Sequence, residues 1–297
     1  MANPGQILSL EQVLNKEEIV LVDSCVKGGN GFYWELGNTK TPQKLDLLIP
    51  QIEMEIKSLR ALTLILAHPN IATIEEVCNE YLRISKHVGT CIQFLCARGL
   101  NEDFSEARDK LQELNNTAFN LWKQANRSQL CKRNGFVNNT VYGLFFEMVK
   151  TLEDKIHIKK DTTDLYMDHI SEASKDSVTD EKIIACLFSL VMTGRSPAVA
   201  TGDTDLIKLL GISSKMICCN QFSPYNFDFC SLLKDPGVKL YFTKDRVKYE
   251  LAVDSQREPG RYMNNHDFSI SRIDKEENDM IKLRFREIWK SIYEQTH

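Results

Sequence analysis

Two short apolar runs that each lead to an aspartate, EIVLVD at 18–23 and SPAVATGD at 196–203, constrain this chain more than any other feature. The first is β-branched and aliphatic and is followed by the turn-rich KGGNG at 27–31, which predicts a buried strand running into a loop. Around the second run the texture alternates. SVTDEKIIACLFSLVMTG at 177–194 predicts a capped apolar helix closed by Gly194, and DLIKLLG at 205–211 predicts a short helix that leads to a strand-like KMICCN at 215–220. Apolar strands alternating with helices imply an α/β fold with a mostly parallel sheet covered on both faces. In such a sheet a ligand site lies beyond the carboxyl ends of the strands, so Asp23 and Asp203 would face one crevice.

The intervening region reads differently. After Pro50, apolar residues recur at helical spacing through IPQIEMEIKSLRALTLILA, with Glu55 in the early turns. From about Thr73 to Ile158 long amphipathic helices follow without strands, the first opening on Thr73 and Glu76 as a capping box and closing at Gly99. Beyond Pro236, VKLYF and VKYELAVD flank the turn-like TKDR as a hairpin, and a terminal helix follows as an accessory element. The expected divisions are a core in two parts, 1–65 and 161–235, a helical insert at 66–160, and a C-terminal hairpin and helix at 236–297.

With 297 residues and 42% hydrophobic content the chain can bury a sizeable core. No apolar run approaches the length that spans a bilayer, and the first residues lack a secretory pattern, so the expectation is a soluble, intracellular protein with no membrane partner. Nine cysteines without a CxxC pair read as reduced small hydrophobes rather than zinc ligands. The sequons opening at Asn115, Asn126 and Asn138 are discounted on the same compartment argument. A formal net charge of −4 at pH 7 does not mark a nucleic-acid binder, although carboxylates that hold a cation would account for part of that acidity.

Asp23 and Asp203 at strand ends, Asp180 in the first turn of a helix and Glu55 in the early turns of another can all project toward one crevice. Four gathered carboxylates repel one another unless a cation compensates them, and hard oxygen ligands select Mg²⁺, Mn²⁺ or Ca²⁺. Taken singly, Asp180 and Asp205 have the plainer reading of helix capping, and Glu55 that of a solvated face. The blocks LVDSCV, IPQIEMEI, TDEKIIACLF and AVATGDTDL resemble, in that order, those of the PIN-domain family of metal-dependent ribonucleases.

That resemblance covers roughly the first 60 residues and the stretch from about 165 to 220. It implies a three-layer PIN-like fold whose acids hold one or two Mg²⁺ or Mn²⁺ ions and hydrolyse RNA to 5′-phosphate and 3′-hydroxyl ends. In its terms Asp23, Glu55, Asp180 and Asp203 are catalytic metal ligands, Asp205 is a further ligand, and Thr201 is a supporting hydroxyl. Glu53 competes with Glu55, and the insert exceeds that of compact members, which leaves three roles open to it: covering the cleft, guiding a substrate or binding a protein partner. Lys27, Arg195 and Lys208, and the cluster Lys244, Arg246 and Lys248, are candidate phosphate contacts that a solvated surface explains equally well. Single-stranded DNA is an alternative substrate.

Two other classes compete. A haloacid-dehalogenase-type phosphatase needs an acid two residues after the first aspartate, where Cys25 stands, and neither GxGxxG nor GKS/GKT supplies a nucleotide loop. A non-catalytic PIN-like scaffold that binds protein or RNA partners would retain its effect without the Asp23 carboxylate.

Overall fold

The computed structural model describes residues 7–27, 31–39, 42–97, 105–132, 139–156, 178–218, 229–245 and 247–256, and single positions from 275 to 290. By internal contacts the chain gathers into two units, one of Met1–Val26, Arg133–Asp161 and Val178–His297, the other of Lys27–Lys132 and Thr162–Ser177.

Among the described residues the first unit is an α/β structure built on five strands: β1 (Ile7–Ser9), β2 (Ile19–Val22), β4 (Pro197–Thr201), β5 (Lys239–Phe242) and β6 (Lys248–Asp254). They lie in the order β1-β6-β5-β4-β2. β2 and β4 pair in parallel with Val22 opposite Ala200, and β4 and β5 pair in parallel with Thr201 opposite Phe242. β5–β6 and β1–β6 are antiparallel. The sheet is therefore mixed rather than mostly parallel. The C-terminal hairpin is not accessory either: its first strand extends the main sheet, and its second accepts the N-terminal β1. Both β2 and β4 are buried along their whole length, as strands covered on both faces must be.

Helices α1 (Leu10–Lys16), α6 (Asn139–Ile156), α7 (Thr179–Met192), α8 (Thr204–Cys218) and α9 (Phe229–Lys234) belong to this unit as well. Ser9 and Gln12 form a reciprocal capping box at the start of α1. α7 ends as Gly194 suggested. Gly194 adopts a positive φ of 77°, its N–H donates to Val191 O at 2.9 Å and that of Arg195 to Leu190 O at 3.1 Å, a Schellman closure. At the other end, Val178 precedes α7 without a side-chain cap. Over Lys215–Cys218 the strand expected at KMICCN gives way to helix, because α8 runs on through Cys218, and Cys219 and Asn220 lie outside the described residues. Ser214 lies in that continuation with its hydroxyl bonded to Leu210 O one turn back at 2.8 Å. α6, read from sequence as part of the insert, packs against α7 and α8.

The second unit is helical: α2 (Gly31–Asn38), α3 (Pro42–Leu66), α4 (Glu75–Ala97) and α5 (Ser105–Arg127), with the two-residue strand β3 (Ile71–Ala72). α3 begins at Pro42, not after Pro50, which it carries internally. A proline opens a helix readily and interrupts one at a cost, but buried Leu45 and Leu48 anchor the turns before Pro50. α5 buries Ala107, Leu111, Leu114, Ala118, Leu121 and Ala125 at alternating spacings of four and three, and packs against α3 and α4. Thr73 is not a helix cap. Its hydroxyl donates to Ala125 O at 2.7 Å and its backbone forms a parallel bridge with Gln129, an exception to the strand-free reading of this stretch.

The seven positions described between 275 and 290 include Lys275, Glu276 and Asp279 and are helical; the rest of the expected terminal helix lies outside the described residues. Among the described residues no helix is long and apolar enough to cross a membrane.

One buried polar group ties α1 to the sheet. Glu17 is 5% exposed and accepts from Lys239 Nζ at 2.8 Å and from the Tyr241 hydroxyl at 2.5 Å. Burial, and then the hydrogen bond to Glu17, push the Tyr241 phenol well above its ordinary range, and burial does the same to Tyr249. A phenol whose folded pKa is raised leaves stability intact below the unfolded pKa of about 10 and erodes it as pH rises beyond, because the unfolded chain loses its proton first. Urea midpoints between roughly pH 8 and 11 should fall above about pH 10, and Tyr241→Phe should lessen the fall. An unchanged alkaline limb in the variant would contradict this assignment.

Candidate metal centre

Because β2, β4 and β5 run the same way, their carboxyl ends share one edge of the sheet. Asp23 follows β2 there. It is 2% exposed, and its N–H donates to Ala200 O at 3.1 Å, which extends the β2–β4 ladder by one bond. Fully buried Thr201 ends β4 and donates its hydroxyl to Asp23 Oδ2 at 2.7 Å. The same hydroxyl oxygen accepts from the Asp203 N–H at 2.9 Å. One side chain thus joins the acid of one strand end to the backbone at the other.

Asp203 stands immediately before α8, and its Oδ1 accepts from the Asp205 N–H at 2.8 Å, the geometry of a helix N-cap. The plainer capping role therefore falls on Asp203, where the sequence had suggested Asp205. Asp205 is instead ion-paired with Lys208 one turn on, and the Lys208 side chain is 6% exposed. Between Thr201 and Asp203, Gly202 permits a close backbone approach: a Cβ there would lie 3.1 Å from Cys25 O and 3.2 Å from Thr243 O, two main-chain atoms that cannot readily yield.

The remaining candidates sit as follows. Asp180 is half-buried in the first turn of α7, and its neighbour Glu181 is the more deeply buried at 3%. Sequence reasoning passed over Glu181, although it shares a helical face with buried Ile184, Ala185 and Phe188. Arg195 pairs with Glu18 before β2, at the end of the strands opposite Asp23, so it lies far from any phosphate held at the strand-end acids. Lys27 closes the 3-10 turn Ser24–Lys27. Lys244 and Lys248 are exposed on the hairpin, and Arg246 lies outside the described residues.

Glu55 belongs to the second unit. It is buried on α3 and accepts from the hydroxyl of fully buried Tyr33 at 2.7 Å. Glu53 is 44% exposed and paired with Lys110 at 2.7 Å, an ordinary surface ion pair. Of the two competing glutamates, Glu55 alone has the burial and the fixed orientation of a site residue. His87 Nε2 lies 3.0 Å from Tyr33 O and helps to fix the segment that carries the phenol.

Hard oxygen donors suit Mg²⁺ or Mn²⁺, and Mg²⁺ is commonly held by one or two carboxylates while it keeps several waters. Asp23 and Asp203 match that donor chemistry. Among the described residues no group of three or more histidines, cysteines, aspartates or glutamates is disposed to hold an ion. No family model matches the chain, and no curated protein or solved structure matches it either.

If the Thr201 hydroxyl is what secures this edge, Thr201→Val should cost about 1–3 kcal/mol, since it leaves the buried Asp23 carboxylate and the Asp203 N–H each short of a partner. Thr201→Ser should retain most of the stability. Thermal melts in chelator provide the comparison, and equal melting of the valine and wild-type proteins would dismiss the link.

Proposed function

We propose that this chain is a divalent-metal-dependent nuclease of PIN type that cleaves RNA, with single-stranded DNA as the alternative substrate. The observation that carries the reading is the pairing of buried Asp23 with Asp203 through the single Thr201 hydroxyl at the carboxyl edge of parallel strands. In this reading Asp23 and Asp203 hold Mg²⁺ or Mn²⁺, and Thr201 keeps the two in register. A bound ion would supply Lewis-acid activation of the attacking water and charge for the leaving oxygen. The chain's own part is to orient the carboxylates: Thr201 fixes Asp23, and the N-terminus of α8 fixes Asp203.

A second reading, a PIN-like scaffold without catalysis, has one observation in its favour. Asp23 already accepts from a hydroxyl, Asp203 from a backbone N–H and Asp205 from an ammonium, so these acids are compensated within the protein. Substitution separates the two. Asp23→Asn and Asp203→Asn are nearly isosteric and remove one negative charge each, so both should lower Mn²⁺-dependent cleavage of single-stranded RNA by more than about 100-fold while the fold survives. Products of the wild type should carry 5′-phosphates. Equal cutting by wild type and both variants would trace the activity to a contaminant, and an inert wild type on RNA and DNA would favour the scaffold.

A further inference from the structure

Lys208 is out of place for a surface lysine. It lies in the second turn of α8, near the positive end of the helix dipole, where a cation is disfavoured, and it is 5% exposed. Lysines are almost never buried to this extent without a partner. Its partner is Asp205, and through the Asp205 N–H, Asp203 Oδ1, the Asp203 N–H and the Thr201 hydroxyl a continuous chain of hydrogen bonds reaches the Asp23 carboxylate. The flanking Leu206, Ile207, Leu209 and Leu210 are all buried, so the ammonium is not a phosphate contact on an open face.

We infer that Lys208 is the resident counter-cation of the strand-end acids: it neutralises Asp205 and stands in for a second divalent ion, leaving Asp23 and Asp203 to hold one. The ion count rests on the metal reading proposed above; the counter-cation role does not. Two carboxylates suit a single Mg²⁺ or Mn²⁺ that keeps its waters. Asp205, held by the lysine, is a positioning residue in this arrangement rather than a metal ligand.

The test is a double-mutant cycle in the full chain, with Lys208→Met, which keeps the apolar stem, Asp205→Asn, and the pair together. In chelator, Lys208→Met should melt roughly 5 °C or more below wild type, because it strands the half-buried Asp205 carboxylate, and the double variant should recover most of that loss. Calorimetric titration with Mn²⁺ should find one ion per wild-type chain and two per Lys208→Met chain, and Mn²⁺ should raise the melting temperature of that variant more than that of wild type. Two ions in wild type would overturn the inference. So would Lys208→Met melting like wild type in chelator, or a double variant no better than the single one. Should Lys208→Met not fold, recovery of a folded protein in the double variant still decides in favour. Should wild type bind no Mn²⁺, the nuclease reading falls, and the cycle in chelator judges the lysine alone.

Discussion

The parallel pairing of β2 with β4 is the constraint from which the rest of the candidate site follows. With Val22 opposite Ala200, Asp23 and Thr201 emerge side by side at the same edge, and no helix packing could bring them together if that register slipped. A slip of one residue would turn every side chain of the strand to the other face, so strands buried on both sides also specify which acid appears at their end. The Asp23 N–H to Ala200 O bond and the Thr243 N–H to Thr201 O bond at 2.9 Å extend the ladder past the last strand residues and steady the edge.

That edge gathers negative charge, and the protein supplies compensation of three kinds: a hydroxyl dipole from Thr201, the N-terminal amides of α8 and the ammonium of Lys208. Like-charged carboxylates in one place otherwise disfavour their own ionisation and the folded state. The same compensation explains how an acidic edge can exist in the protein by itself. Glu17 with Lys239 and Tyr241 repeats the principle elsewhere in the first unit, where a buried carboxylate is accommodated by converging donors.

Much of this was legible from residues alone, and the limits have physical causes. The strands before Asp23 and Asp203 showed themselves as short β-branched runs, and the hairpin by its turn. Its membership of the main sheet did not, because periodicity records which face is buried and says nothing of which strands pair. The three-residue β1 is too short to carry a pattern. KMICCN misled for a related reason: four to six apolar residues suit a strand or a helix equally, and α8 decided the matter by continuing. Thr201 and Glu55 were singled out only through a resemblance in short blocks, whereas the burial of Lys208 is hinted at only by the apolar residues on either side of it, Leu206, Ile207, Leu209 and Leu210. Tyr33, the partner of Glu55, is 22 positions away and had no local signal.

Everything proposed for Asp23 and Asp203 depends on whether these strand-end acids bind an ion. Crystals grown with Mn²⁺ allow its anomalous scattering to be located directly. The expected result is a peak at ligand distance, about 2.1 Å, from carboxylate oxygens of Asp23 and Asp203, lost in crystals of Asp23→Asn. Well-ordered crystals at saturating Mn²⁺ with no peak at these two residues would contradict it.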